Sequence, residues 1–220
     1  MSSTEAFRLI GRDDVVALTE AVVSGARSAP PAIVLTGEAG SGKSSILRHA
    51  VRAAGGDVRV VSAAGGASES SADGLLARLL WPLRGFASTL PPGLREALPE
   101  AGRDLRCAPE LARDAVLSLL EAAAVERPIL LAIDDVDRFD DDLRDLFVGV
   151  TALLMTTGVR AVLTARRLDV LRGVDRPIRT VELVPLAPHH SAELVDAQPG
   201  QPDPSVRGRS SAGRVGTRWR

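Results

Sequence analysis

The sequence predicts an α/β protein, a three-layer sandwich around a mainly parallel, five-stranded sheet. Three observations predict it. Short apolar runs bounded by Pro or Gly alternate with segments of helical period along the chain. The run Ile129 to Ile133 is apolar at every position, as a parallel strand buried on both faces requires. A Gly-rich stretch, Gly37 to Ser44, joins one apolar run to one helical segment, the connection that βα units use. The 220 residues, 45% of them apolar, suffice for one such domain with a sizeable core.

Taken in order, residues 12–27 place Val15, Val16, Leu18, Ala21, Val22 and Val23 at helical spacing behind Asp13 and Asp14, with Pro30-Pro31 as the break. Ala32 to Thr36 reads as a buried strand, and Ser44 to Ala54 as a helix stopped by Gly55-Gly56. Val58 to Val61 is the second strand, followed by a loop over 62–73. From Gly74 to about Leu98 the chain is Leu-rich and broken by Pro82 and Pro91-Pro92, which predicts short helices. A stronger helical pattern over 110–125 ends at Pro128, where the strand Ile129–Ile133 begins. Asp140-Asp141-Asp142 opens a helix to about Met155, and strands follow at Val159–Thr164 and Thr180–Val184. Residues 198–220 carry three prolines, four glycines, five arginines and one acid, with no period; they read as a disordered basic tail of about +4, which leaves about −5 on residues 1–197.

The formal net charge of −1 excludes binding of polyanions by bulk electrostatics. Cys107, the only cysteine, cannot form an internal disulfide and reads as an incidental thiol, which fits a reducing cytoplasm. The N-terminus lacks the order of a signal peptide, and no uncharged apolar run reaches the roughly 18–20 residues of a membrane helix, so we expect a cytoplasmic protein with no membrane partner. Of 27 basic residues, 26 are Arg and one is Lys43. Arg serves surface charge equally well, but it is no compact ammonium for the inside of a tight loop.

That lysine falls inside Gly37-Glu38-Ala39-Gly40-Ser41-Gly42-Lys43-Ser44, a match to G-x-x-x-x-G-K-S between a strand and a helix. The composition gives roughly 0.001 chance matches, before the strand–loop–helix context is required. Glycines allow positive φ and close backbone approach to phosphates, and the N–H groups converge on an anion at a helix N-terminus. Lys43 would reach the β- and γ-phosphates, Ser44 would ligate Mg²⁺, and Ser45 is counted with the loop as nucleotide-binding. The second pattern is an apolar strand ending in Asp134-Asp135, a Walker B arrangement. It delivers Asp134 to the sheet edge where ligands bind in open α/β folds. Asp134 would hold Mg²⁺ through water, and Asp135 would orient or deprotonate the attacking water. The third is Thr164-Ala165-Arg166-Arg167 after the fourth strand, where Thr164 or Arg166 could sense a γ-phosphate. The aspartates from 134 to 142 do not have the spacing of a calcium loop, and His49, His189 and His190 read as surface residues.

With these motifs placed, the chain resembles a known family. Leu9-Ile10-Gly11-Arg12-Asp13-Asp14, LTGEAGSGKSS, ILLAIDDVDRFD, RAVLTARR and VELVPLAP together are similar to the ATPase module of STAND-type bacterial regulators, and nearest to the large ATP-binding LuxR-type transcriptional regulators. The resemblance spans about residues 8–197, and Leu75 to Leu98 is similar to that family's helical insert between strands 2 and 3. It implies ATP and Mg²⁺ as ligands and a slow switch that controls self-association. It also implies that Ile10, Gly11 and Arg12 lie near the adenine and that Thr164 and Arg166 occupy the sensor position. The family continues into helical repeats and a DNA-binding domain; residues 198–220 do not resemble it, and we expect them to come from a shifted or truncated reading frame. The leading expectation is an ATP-binding switch module with weak or partner-dependent hydrolysis. The alternatives are an autonomous ATPase with Asp135 as base, contact of nucleic acid through the Arg-rich tail, and a fragment that binds nucleotide without output.

Overall fold

The structure is a computed structural model, and it describes residues 9–64, 76–77, 79–98, 109–139, 158–167 and 178–196. The expected helix from Asp140 to Met155, Cys107 and the basic tail lie outside the described residues.

Five parallel strands form one sheet: β1 (Ala32–Thr36), β2 (Arg59–Ala64), β3 (Ile129–Asp134), β4 (Val159–Thr164) and β5 (Ile178–Glu182), in the order β2-β3-β4-β1-β5. The strands alternate two cores. Ala32, Val34, Ile129, Leu131, Ile133, Ala161 and Leu163 face one side. There they meet Val116, Leu119, Leu120 and Ala123 of helix α4 (Pro109–Glu126), with Leu83 and Leu90 of the segment between β2 and β3. Ile33, Leu35, Leu130, Ala132 and Val162 face the other side, against Val22 and Val23 of α1 (Asp13–Ser24) and Ile46, Leu47 and Ala50 of α2 (Lys43–Ala53). Each of the buried Val, Leu and Ile side chains among them contributes about 1.5–3 kcal/mol of apolar transfer. The result is the expected three-layer α/β sandwich, with every strand pairing parallel.

The segment between β2 and β3 holds a 3-10 helix, Trp81–Thr89, and a short helix α3, Pro92–Glu96. Each starts on a proline in its first turn, where the missing N–H costs nothing. Arg59, at the start of β2, fastens the segment to the sheet. Its guanidinium lies 4.5 Å from the Phe86 ring centroid and 2.9 Å from the Glu126 carboxylate of α4.

Several sequence boundaries shift. Helix α1 ends at Ser24 and not near residue 27, because Gly25 takes a left-handed conformation (φ 71°) and its N–H caps the carbonyls of Ala21 and Val22. Strand β2 runs on to Ala64, past the expected end at Val61, and β5 spans Ile178–Glu182 where Thr180–Val184 was expected. A further helix, α5 (Pro188–Asp196), follows β5. Among the described residues no helix is long and apolar enough to cross a membrane.

Candidate nucleotide-binding site

The sheet order puts β1 between β4 and β5, while the chain leaving β1 travels to the far edge at β2. Open α/β sheets bind ligands at such a reversal, beyond the carboxyl ends of the strands. The loop Gly37–Gly42 leaves β1 at that point. Gly37, Gly40 and Gly42 all have positive φ, of 143°, 81° and 97°. Gly37 has a second reason to be glycine: a Cβ there would meet the backbone oxygen of Leu183 at 2.7 Å. Glu38, Ala39 and Gly40 are exposed at the tip of the loop, and Ser41 and Gly42 are half-buried at its return. Gly42 then opens α2, whose N-terminus has no side-chain cap and no acid in its first turn. The positive end of that helix dipole is therefore open to an anion.

Lys43 is buried, and its ammonium donates to the carbonyls of Gly37 at 2.8 Å and Glu38 at 2.9 Å. A buried ammonium needs such partners, and these hold it across the mouth of the loop. Ser44, half-buried, donates its hydroxyl to Asp134 Oδ1 at 3.1 Å, joining α2 to the end of β3. Ser45 accepts a bond from Arg48 at 3.0 Å on the helix surface and faces away from that pair. Ser44 and Asp134 are two hard oxygen donors in direct contact beside Lys43, a donor set suited to Mg²⁺.

Asp135 follows Asp134 in a left-handed conformation (φ 51°, ψ 53°), the only non-glycine residue with positive φ among those described. Its carboxylate lies 3.8 Å from Arg138. Thr164, fully buried at the end of β4, accepts the Asp135 N–H at 2.8 Å and donates to Asp134 Oδ1 at 2.5 Å. Arg166 is exposed, and its backbone N–H is held by Asp137 Oδ1 at 3.1 Å. A cavity of about 620 Å³ beside the loop is lined by Thr36, Gly37, Glu38, Ala39, Arg166 and Glu182. The structure thus brings Lys43, Ser44, Asp134, Asp135 and Thr164 together and puts Arg166 at the rim.

Ile10, Gly11 and Arg12 stand on the flank. Ile10 is buried, and Gly11 has φ 68° with the His190 ring where a Cβ would lie. Arg12 donates to Ser41 O at 3.3 Å and to Val184 O at 2.6 Å, tying the phosphate loop to the segment after β5. Burial pushes the Arg12 guanidinium's pKa down. Of the three histidines, His189 is exposed, while His49, 2.8 Å from Glu20, and His190, against Gly11, are half-buried. No role at this site is expected from the sequence for Asp137, Glu182 or His190. Asp137 lay within a motif but in a turn of unknown direction, and the other two have no motif at all.

A five-stranded parallel sheet in this order, with a Gly-Lys-Ser loop between β1 and α2 and an aspartate at the end of β3, defines a nucleotide-binding domain of the P-loop class. Residues 8–163 match the family model for the AAA ATPase domain, and the chain belongs to that family. Cdc6p from Pyrobaculum aerophilum superposes with a TM-score of 0.59 at 16% identity, over 85% of this chain and 48% of that one. The Aeropyrum pernix Orc1 protein, solved in complex with DNA, gives 0.58 at 16%, over 90% and 53%. A Walker-type ATPase of Pyrococcus abyssi gives 0.52 at 14%, over 86% and 57%. The chain spans about half the length of these proteins, and at these identities the likeness is one of fold. No curated protein matches the sequence.

Proposed function

We propose that the chain is the ATP- and Mg²⁺-binding module of a signal-transduction or transcription-regulator ATPase, with slow or partner-dependent hydrolysis. One observation carries the reading: the Ser44 hydroxyl meets the Asp134 carboxylate at 3.1 Å across 90 positions of sequence, beside the buried Lys43. A glycine-rich turn alone needs neither contact.

In this reading the loop from Gly37 to Ser44 wraps the phosphates with its N–H groups, and Lys43 exchanges its two loop carbonyls for phosphate oxygens. Ser44, and Asp134 through water, would hold Mg²⁺, which would supply neutralisation of phosphate charge. Asp135 orients the attacking water. Its carboxylate is one methylene shorter than a glutamate's and shares the field of Arg138, which supports slow turnover. Arg166 at the cavity rim is the γ-phosphate sensor, and Ile10, Gly11 and Arg12 flank the base. ATP as the nucleotide, a domain over residues 1–197 and the LuxR-type regulator context are supported by the sequence motifs around Gly11, Asp134 and VELVPLAP, and a cytoplasmic setting by the lone Cys107. Self-association belongs to that context, and DNA contact is indirect if it occurs.

Calorimetric titration of ATP with Mg²⁺ tests the proposal. We expect binding in the wild type and at least a tenfold loss in Lys43→Ala; equal affinity in both would overturn it. Asp135→Asn should keep ATP affinity and lose phosphate release.

A further inference from the structure

The one hydrogen-bond donor of Thr164 is committed. A hydroxyl has one donor and two acceptor lone pairs. Its donor goes to Asp134 Oδ1, and it accepts the Asp135 N–H at 2.8 Å. The residue is 0% exposed. A phosphate oxygen is an acceptor and could bond Thr164 only by taking the proton from Asp134, leaving the half-buried carboxylate with one donor fewer. The remaining lone pair faces no solvent. Asp134 Oδ1 also receives the Ser44 hydroxyl, so Thr164 and Ser44 fix that oxygen from two different elements.

We propose that Thr164 is a positioning residue that sets the Asp134 carboxylate for Mg²⁺, and that it makes no contact with the γ-phosphate. The proposal rests on the reading of Ser44 and Asp134 as the metal-holding pair. A γ-phosphate sensor distinguishes ATP from ADP. A residue acting through the metal-holding carboxylate does not, because Mg²⁺ held there would neutralise the β-phosphate that both nucleotides carry. Second-layer hydrogen bonds to metal-holding groups are worth about 10- to 100-fold in metal affinity.

The experiment is calorimetry on the full chain with ADP and with a non-hydrolysable ATP analogue, each in Mg²⁺ and in EDTA. Thr164→Val keeps the shape and removes the hydroxyl; Thr164→Ala serves if the valine variant fails to fold. Thr164→Ser keeps the hydroxyl. In Mg²⁺ we expect both nucleotides to weaken by about 10- to 100-fold, by equal factors within about threefold. In EDTA the variant should match the wild type, and Thr164→Ser should recover wild-type affinity in Mg²⁺. Weakening of the ATP analogue alone would overturn the proposal and restore a phosphate contact. Equal weakening in EDTA, unrescued by serine, would overturn it in favour of a general packing defect. If wild-type affinity is the same in Mg²⁺ and EDTA, the metal-holding pair itself fails, a result distinct from either of the others.

Discussion

Asp135 offers a test in which stability and activity should separate. Its backbone sits at φ 51°, where an L-residue pays about 1–2 kcal/mol, somewhat less for Asp and Asn. The conformation is held from outside the residue: its N–H bonds Thr164, and the flanking turn is anchored by buried Val136 and Phe139. Asp135→Gly removes the steric cost but adds about 0.4–1 kcal/mol of unfolded-state entropy. It also loses the carboxylate's contact with Arg138 at 3.8 Å, a half-exposed pair of roughly 0–0.5 kcal/mol. Asp135→Ala keeps the steric cost, loses the same contact and gains no relief. The order of stability should therefore be Gly at least equal to Asp and Asn, then Ala, then a β-branched residue such as Val. The gap between Gly and Ala should be about 1 kcal/mol, or roughly 2–4 °C in midpoint for a chain of this size. Thermal unfolding followed by circular dichroism measures it. All four variants should retain nucleotide affinity and lose phosphate release. An alanine variant more stable than the glycine variant would refute the assignment of strain to this backbone.

Two further outcomes follow from single contacts. Arg12→Ala should destabilise the fold by about 1–2 kcal/mol in urea unfolding, since it leaves the Ser41 and Val184 carbonyls without their guanidinium donor. Arg12→Lys should not restore the loss, because one ammonium does not reproduce the planar fork. Gly25→Ala and Gly37→Ala should differ although both glycines have positive φ. At Gly25 the obstacle is the far end of the Arg160 side chain, which can move aside, so the cost is the backbone's alone, about 1 kcal/mol. At Gly37 it is the Leu183 backbone oxygen, so Gly37→Ala should cost about 1–2 kcal/mol more in the same measurement.

The strands that the sequence bounds well and those it does not differ in one physical respect. β1, β3 and β4 are the interior strands, paired on both edges and buried on both faces. Apart from the half-buried Arg160 of β4, the positions between their ends are apolar, so the apolar run and the strand nearly coincide. β2 and β5 are the two edges. Among the described residues each pairs on one side only, and each admits polar residues: Arg59 and Ser62 in β2, Arg179, Thr180 and Glu182 in β5. Their ends are set by pairing register and not by hydrophobicity. The apolar pair Leu183-Val184 drew the expected strand two positions late, while Ala63 and Ala64 were too small to signal one. The end of α1 has a different cause, a glycine cap that acts before the proline break is reached.

The site divides in the same way. The loop from Gly37 to Ser44 is legible because its requirements are local: glycines where the backbone turns, and one lysine that folds back onto its own loop. Asp134, Asp135 and Thr164 are legible as strand ends arriving at one sheet edge, but the sequence carries no sign that the Thr164 proton belongs to Asp134. The Arg12 clamp was out of reach for a stronger reason. Its acceptors are the backbone oxygens of Ser41 and Val184, the latter 172 positions away, and any residue at either place offers the same oxygen. Substitution of the Val184 side chain, which is exposed, would leave the clamp intact, whereas loss of Arg12 removes it. Only the donor end of such a contact is encoded in a side chain, and its meaning becomes readable once the fold shows which carbonyl stands opposite.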